Sequence, residues 1–194
     1  MKLIGNKSLS TILNKILLIG CIVQLLYLGY MVFGFIISYI NLHNGTYYFS
    51  DIFMVGNLSN GEVKEAPDSL NFRFSMPFTD AITMGSYTWH SFISIVFFLG
   101  FYSTFTFYLF RIFKGMSHDL IFNVEVIRDL KKFAVLNILF IPIYCLILYF
   151  LKQSLYSIDP MQVLLHFITG IIILFIMEFF KKGYELQTQN DLTI

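Results

Sequence analysis

Charge is what this sequence most lacks. Of its 194 residues 13% are charged and 57% are hydrophobic, whereas a soluble domain carries about 25% charged and 45–50% apolar residues. So few polar groups cannot cover a water-facing surface. Alanine is nearly missing, standing only at Ala66, Ala81 and Ala134, while Phe occurs 23 times and Tyr 12 times. The two cysteines, Cys21 and Cys145, both lie inside apolar runs, which argues against a disulfide framework and matches no zinc or redox motif. A net charge of +1 is too small for direct nucleic-acid binding by the whole chain. The sequence contains no nucleophile elbow, phosphate-binding glycine loop or His-Glu-x-x-His signature. It also shows no paired half-repeats of the transporter kind. An enzyme is not expected, nor a cofactor.

What the sequence does have is long apolar runs. Crossing the hydrocarbon layer as a helix takes ~20 mostly apolar residues at ~1.5 Å each. Four stretches meet or approach that requirement, at about 16–40, 91–110, 133–151 and 161–180. In lipid every backbone amide must pair internally, so the runs are read as helices, with Pro142 expected to bend the third. The fold class expected is an all-α, four-transmembrane-helix bundle in a lipid bilayer, forming a single membrane domain. Lys2, Lys7 and Lys15 ahead of Leu18-Ile19-Gly20-Cys21 mimic a lipoprotein signal. The apolar stretch before Gly20 is too short for a signal h-region and continues well past Cys21, so an uncut anchor is expected.

Lys and Arg near span ends are retained in the cytoplasm. Lys2, Lys7, Lys15, Arg111, Lys114, Arg128, Lys131, Lys132, Lys181 and Lys182 all fall on one side if both termini are cytoplasmic, leaving only Lys64, Arg73 and Lys152 on the other. The external segment, 41–89, is too long for a simple connection. Leu70–Met76 alternates with period two and reads as a strand. Thr46–Val55 is aromatic and β-branched, and Ser59-Asn60-Gly61 suits a turn, so a small two- or three-stranded cap is expected. The cytoplasmic connection, 111–132, contains a helix capped by Asn123, with Val126, Ile127, Leu130, Phe133 and Ala134 on one stripe and Glu125, Arg128, Asp129, Lys131 and Lys132 largely on other faces. It reads either as an interfacial lead-in to span three or as a docking helix.

Two sets of residues here resemble a family: Phe122-x4-Ile127-x2-Leu130-Lys131 before span three, and Phe179-Phe180-Lys181-Lys182-Gly183-Tyr184-Glu185-Leu186-Gln187 running into Asn190-Asp191-Leu192-Thr193-Ile194 in the cytoplasmic tail, 181–194. Both resemble the bacterial membrane family catalogued as domain of unknown function 2975, which is similar in size and span number. The resemblance implies a bacterial cytoplasmic membrane protein without enzymatic activity, and a cytosolic partner of the small helix-turn-helix regulator type. Partner-contacting residues are then expected at Arg128, Leu130, Lys131, Lys132, Glu185, Leu186, Asp191, Leu192, Thr193 and Ile194. A small oligomeric transporter or channel, or an accessory subunit of a membrane complex, stays open as an alternative.

Polar groups inside spans are costly and often functional. Gln24 and Asn137 are such groups, with interhelical hydrogen bonding as their ordinary use. His43, His90 and His166 all fall near the external surface in this topology. Imidazoles converging there would suit zinc or copper, although no two of them share a local ligand spacing.

Overall fold

A computed structural model describes residues 5, 7–56, 58–59, 62–63, 70–118, 122–151 and 159–191. Four helices, α1 (Leu9–Asn44), α2 (Trp89–Met116), α3 (Val124–Phe150) and α4 (Pro160–Asp191), account for most of the chain. Each is long and apolar enough to cross a membrane. Between α1 and α2 the described residues form five short strands, β1 (Phe53–Gly56), β2 (Leu58–Ser59), β3 (Glu62–Val63), β4 (Asn71–Ser75) and β5 (Ile82–Ser86). The protein is thus an all-α, multi-pass membrane protein with a small β segment.

All four helices overrun the apolar runs that announced them. The sequence separates a connecting helix from span three, but α3 begins at Val124, directly behind its cap, and continues unbroken through Pro142 to Phe150. No glycine or proline interrupts Val124–Lys132, and the buried stripe continues across the expected boundary through Val126, Leu130, Phe133, Asn137, Phe140, Tyr144 and Leu148. Asn123 caps α3 as expected: its Oδ1 accepts from Val126 N at 2.9 Å. Asn123→Ala should therefore lower unfolding stability by about 1 kcal/mol, read as a shifted midpoint in mixed-micelle denaturation, with Asn123→Asp close to wild type. At its other end, α1 stops where Gly45 takes a φ of 64° and Thr46 N reaches back to Asn41 O at 3.2 Å, a left-handed glycine stop. Asp159 caps α4, accepting from Met161 N at 3.0 Å, with Pro160 in the first helical position.

The chain divides into two compact units, one of Met1–Ile22 with Ser103–Ile194 and one of Val23–Tyr102. In the Val23–Tyr102 unit, β1, β4 and β5 form an antiparallel sheet in that order, while β2 and β3 pair with each other. Phe53 lies opposite Phe74 and Val55 opposite Phe72. Phe53, Phe72 and Phe74 are buried with Met31 and Phe35 of α1. Gly34 makes this possible, because a Cβ there would stand 2.7 Å from the Phe53 ring and 2.8 Å from that of Phe74. Tyr30 Oη donates to Ser75 O and Tyr87 Oη to Phe35 O at 2.9 Å. Burial, with Tyr39 nearby, pushes the Tyr87 phenol above its ordinary pKa.

The strand expected at Leu70–Met76 is β4. Of the expected Thr46–Val55 strand only Phe53–Val55 pairs, because Phe49 takes a positive φ of 52° and turns the chain, with Phe53 N bonded to Phe49 O at 2.8 Å. The expected turn at Asn60-Gly61 lies outside the described residues.

Candidate functional site

Within the unit formed by Met1–Ile22 and Ser103–Ile194, the start of α1, the end of α2, the start of α3 and the end of α4 meet at one end. Gly5 N donates to Met116 O at 3.0 Å, and Ser10 Oγ to the same carbonyl at 3.3 Å. Gly115 lets α2 and α3 approach, since a Cβ there would overlap Val126 Cγ2. Phe122 packs edge-on against Phe180 at 5.4 Å and lies over Gly183. Nine of the ten basic residues expected on one side belong to the described part of this unit, and Lys2 lies outside it.

At this end α2 presents one helical stripe, Phe107, Phe110, Arg111, Lys114 and Gly115, continued by His118 just past its last turn. Facing it across a cleft of about 290 Å³ are Glu125, Val126 and Asp129 of α3. Arg111 Nε binds Asp129 Oδ2 at 2.9 Å, with the Asp129 side chain 4% exposed and that of Arg111 33% exposed. Asp129 Oδ1 is buried and has no hydrogen-bond partner among the described residues. The Arg111 guanidinium lies over the Phe107 ring and the Lys114 ammonium over that of Phe110, each 5.9 Å from the centroid. Phenyl faces attract cations, and the contact strengthens as water is excluded.

Asp129 corrects the sequence reading. Expected on a polar face, it is buried, because a partner on α2 neutralises it. The signal was present in the spacing Arg111-x2-Lys114-x3-His118 and in Glu125-x3-Asp129, each a single helical stripe. Leu130 needs the second correction. It is 5% exposed, packed with Ile112, Val126, Phe133 and Ile173, so its side chain belongs to the core and offers nothing to a partner. Arg128, Lys131 and Lys132 are exposed on α3, as are Glu185 and Leu186 on the last turns of α4. Asp191 ends α4, while Leu192, Thr193 and Ile194 lie outside the described residues.

Among the described residues no three His, Cys, Asp or Glu side chains converge. His43 is exposed and stacks on Tyr39, and His90 is half-buried at the start of α2. His166 is buried, its Nδ1 3.0 Å from Asn137 Oδ1 and its ring 4.4 Å from that of Phe140. Asn137 donates to Phe133 O at 2.9 Å and so accepts from His166, which fixes the proton on Nδ1. Asn137 is thus a cross-helix hydrogen-bonding group between α3 and α4. Gln24 is different: its Oε1 is buried with no partner among the described residues.

These features define a multi-pass α-helical membrane protein with a polar cleft at one end. Protein-family models, curated proteins and solved structures all return no match to the chain.

Proposed function

We propose that this is a regulatory or scaffolding protein of the bacterial cytoplasmic membrane, with its basic end in the cytoplasm docking a soluble partner. One observation carries the reading. Helix α4 continues past Lys181 and Lys182 to Asp191, and on that extension Leu186 stands 62% exposed. A helix that has left the apolar run has no lipid to cover such a side chain. Beside it in sequence are Glu185, Thr188, Gln189 and Asn190, all exposed. Arg128, Lys131 and Lys132 supply exposed cations at the same end. An apolar anchor with a polar surround is the pattern of a protein-binding patch. The resemblance to the family catalogued as domain of unknown function 2975 makes a small helix-turn-helix regulator the partner class to expect.

Affinity purification from native membranes in mild detergent, with mass spectrometry of what stays bound, tests this. A small DNA-binding protein should copurify with wild type. Leu186→Glu and the pair Lys131→Glu/Lys132→Glu should each reduce its recovery at least tenfold with unfolding midpoints unchanged. Full recovery with both variants would exclude this face. A homo-oligomer without partner would favour the transport reading instead.

A further inference from the structure

We propose that the cleft between α2 and α3 binds the head group of an ethanolamine phospholipid, a phosphate carrying a primary ammonium. The site does not use the exposed α4 surface invoked for partner docking, so the two readings fail separately.

Charge balance comes first. Among the described residues the cleft is lined by two basic side chains, Arg111 and Lys114, and two acidic ones, Glu125 and Asp129, together with His118. A ligand of one sign would meet its own charge whichever way it entered. A zwitterion meets both signs in register, with its phosphate toward Lys114 and Arg111 and its ammonium toward Glu125 and Asp129. Arginine and lysine are the usual phosphate donors, and an ammonium brings three N–H groups and no acceptor.

Next is an unspent acceptor. Arg111 occupies only one oxygen of the Asp129 carboxylate, and the other is buried without a partner among the described residues. Buried polar atoms are nearly always satisfied, and an ammonium supplies the missing donor. A metal ion does not fit, because the carboxylates share the cleft with two basic side chains and no three potential ligands converge among the described residues.

Depth and size then select the source. Apolar sequence in α2 ends at Phe110, and Arg111 is its first charge, so the cleft straddles the level where hydrocarbon gives way to head groups. The rings of Phe107 and Phe110 line its apolar side, Phe107 being exposed, while Lys114 and His118 lie toward the water. At about 290 Å³ the cleft has the volume of roughly ten water-sized groups at ~30 Å³ each. That is room enough for a phosphoethanolamine head.

The test uses the full chain in mild detergent. Native mass spectrometry follows retention of added phosphatidylethanolamine, phosphatidylglycerol and phosphatidylcholine with matched acyl chains. Phosphatidylethanolamine should be retained at least fivefold over the other two, because glycerol lacks the ammonium and choline lacks N–H donors. Lys114→Gln and Glu125→Gln, both at exposed positions outside the core, should each remove that preference with unchanged unfolding midpoints. Equal retention of the three lipids, preference for phosphatidylglycerol, or variants that keep the wild-type preference would overturn the proposal. Free O-phosphoethanolamine is the competitor that separates the sources. Tight binding of it without retained lipid would overturn the lipid assignment in favour of a soluble aminophosphate.

Discussion

Arg111→Met is expected to lower the unfolding free energy by about 3 kcal/mol, the low end of the cost of stranding one member of a buried ion pair. The low end applies because the Arg111 side chain is one-third exposed while that of Asp129 is almost fully covered. Removing Arg111 leaves a carboxylate with both oxygens unpartnered at the junction of α2 and α3. Arg111→Lys keeps the charge without the planar guanidinium geometry, so it should fall between wild type and Arg111→Met. The double variant Arg111→Met/Asp129→Leu should recover most of the loss, since an apolar pair of similar volume replaces a buried ion pair at little cost. Equilibrium unfolding in mixed micelles measures all three. A double variant no more stable than Arg111→Met would mean that the pair fixes geometry rather than merely neutralising charge.

Gly170→Val should be of similar size, about 2–3 kcal/mol, by forced overpacking. A Cβ on Gly170 would meet Ile138 Cγ1 at 2.6 Å and, less forgivingly, the Ala134 carbonyl at 3.1 Å and Ile138 N at 3.3 Å. Backbone atoms of α3 cannot rotate aside, so α3 and α4 must separate. Separation would also stretch the Asn137–His166 hydrogen bond formed between the same helices. Gly183→Ala is the control, since the three atoms nearest its new methyl all belong to the Phe122 side chain, whose ring can turn where backbone cannot. Unfolding midpoints should fall steeply for Gly170→Val and little for Gly183→Ala. The contrast follows from what drives association in lipid, where close backbone approach at small residues stands in for the hydrophobic effect.

The four helices were legible because charge is absent from their middles, a signal that needs no tertiary information. Their ends were less so. Charged residues at Arg128–Lys132 look like the end of a span, yet nothing there breaks a helix, and α3 runs through them. The sheet was half legible. In β4, Phe72 and Phe74 alternate with Asn71, Arg73 and Ser75, and the period of two announces a strand. In β5 the same period is inverted: Ile82 and Met84 are exposed, while Thr83 and Gly85 point inward. Gly85 lies inward because the Phe72 ring occupies the space its side chain would fill, 2.9 Å from a Cβ. A strand whose covered face is a threonine and a glycine carries no apolar pattern to read.

At the cleft, spacing alone showed which residues share a stripe of one helix but not which stripe faces which. Asp129 therefore read as a solvent-facing charge until α2 supplied Arg111, 18 residues earlier in the chain. Leu130 carried two readings, core stripe and partner contact, and burial decides for the core.

The outer side of the small sheet has a consequence for handling the protein. Ile82 and Met84 of β5 are exposed, as are Tyr47, Tyr48 and Phe49 after α1, and Phe78 is fully exposed at a φ of 64°. A bulky side chain held outward in the left-handed region is a costly conformation, and so much bare aromatic surface is prone to associate in water. Detergent must therefore wet the Val23–Tyr102 unit as well as the helices. Short-chain or compact micelles that coat only helical hydrocarbon would leave this surface to self-associate, while bicelles or nanodiscs with a full interfacial layer would keep the particle monodisperse.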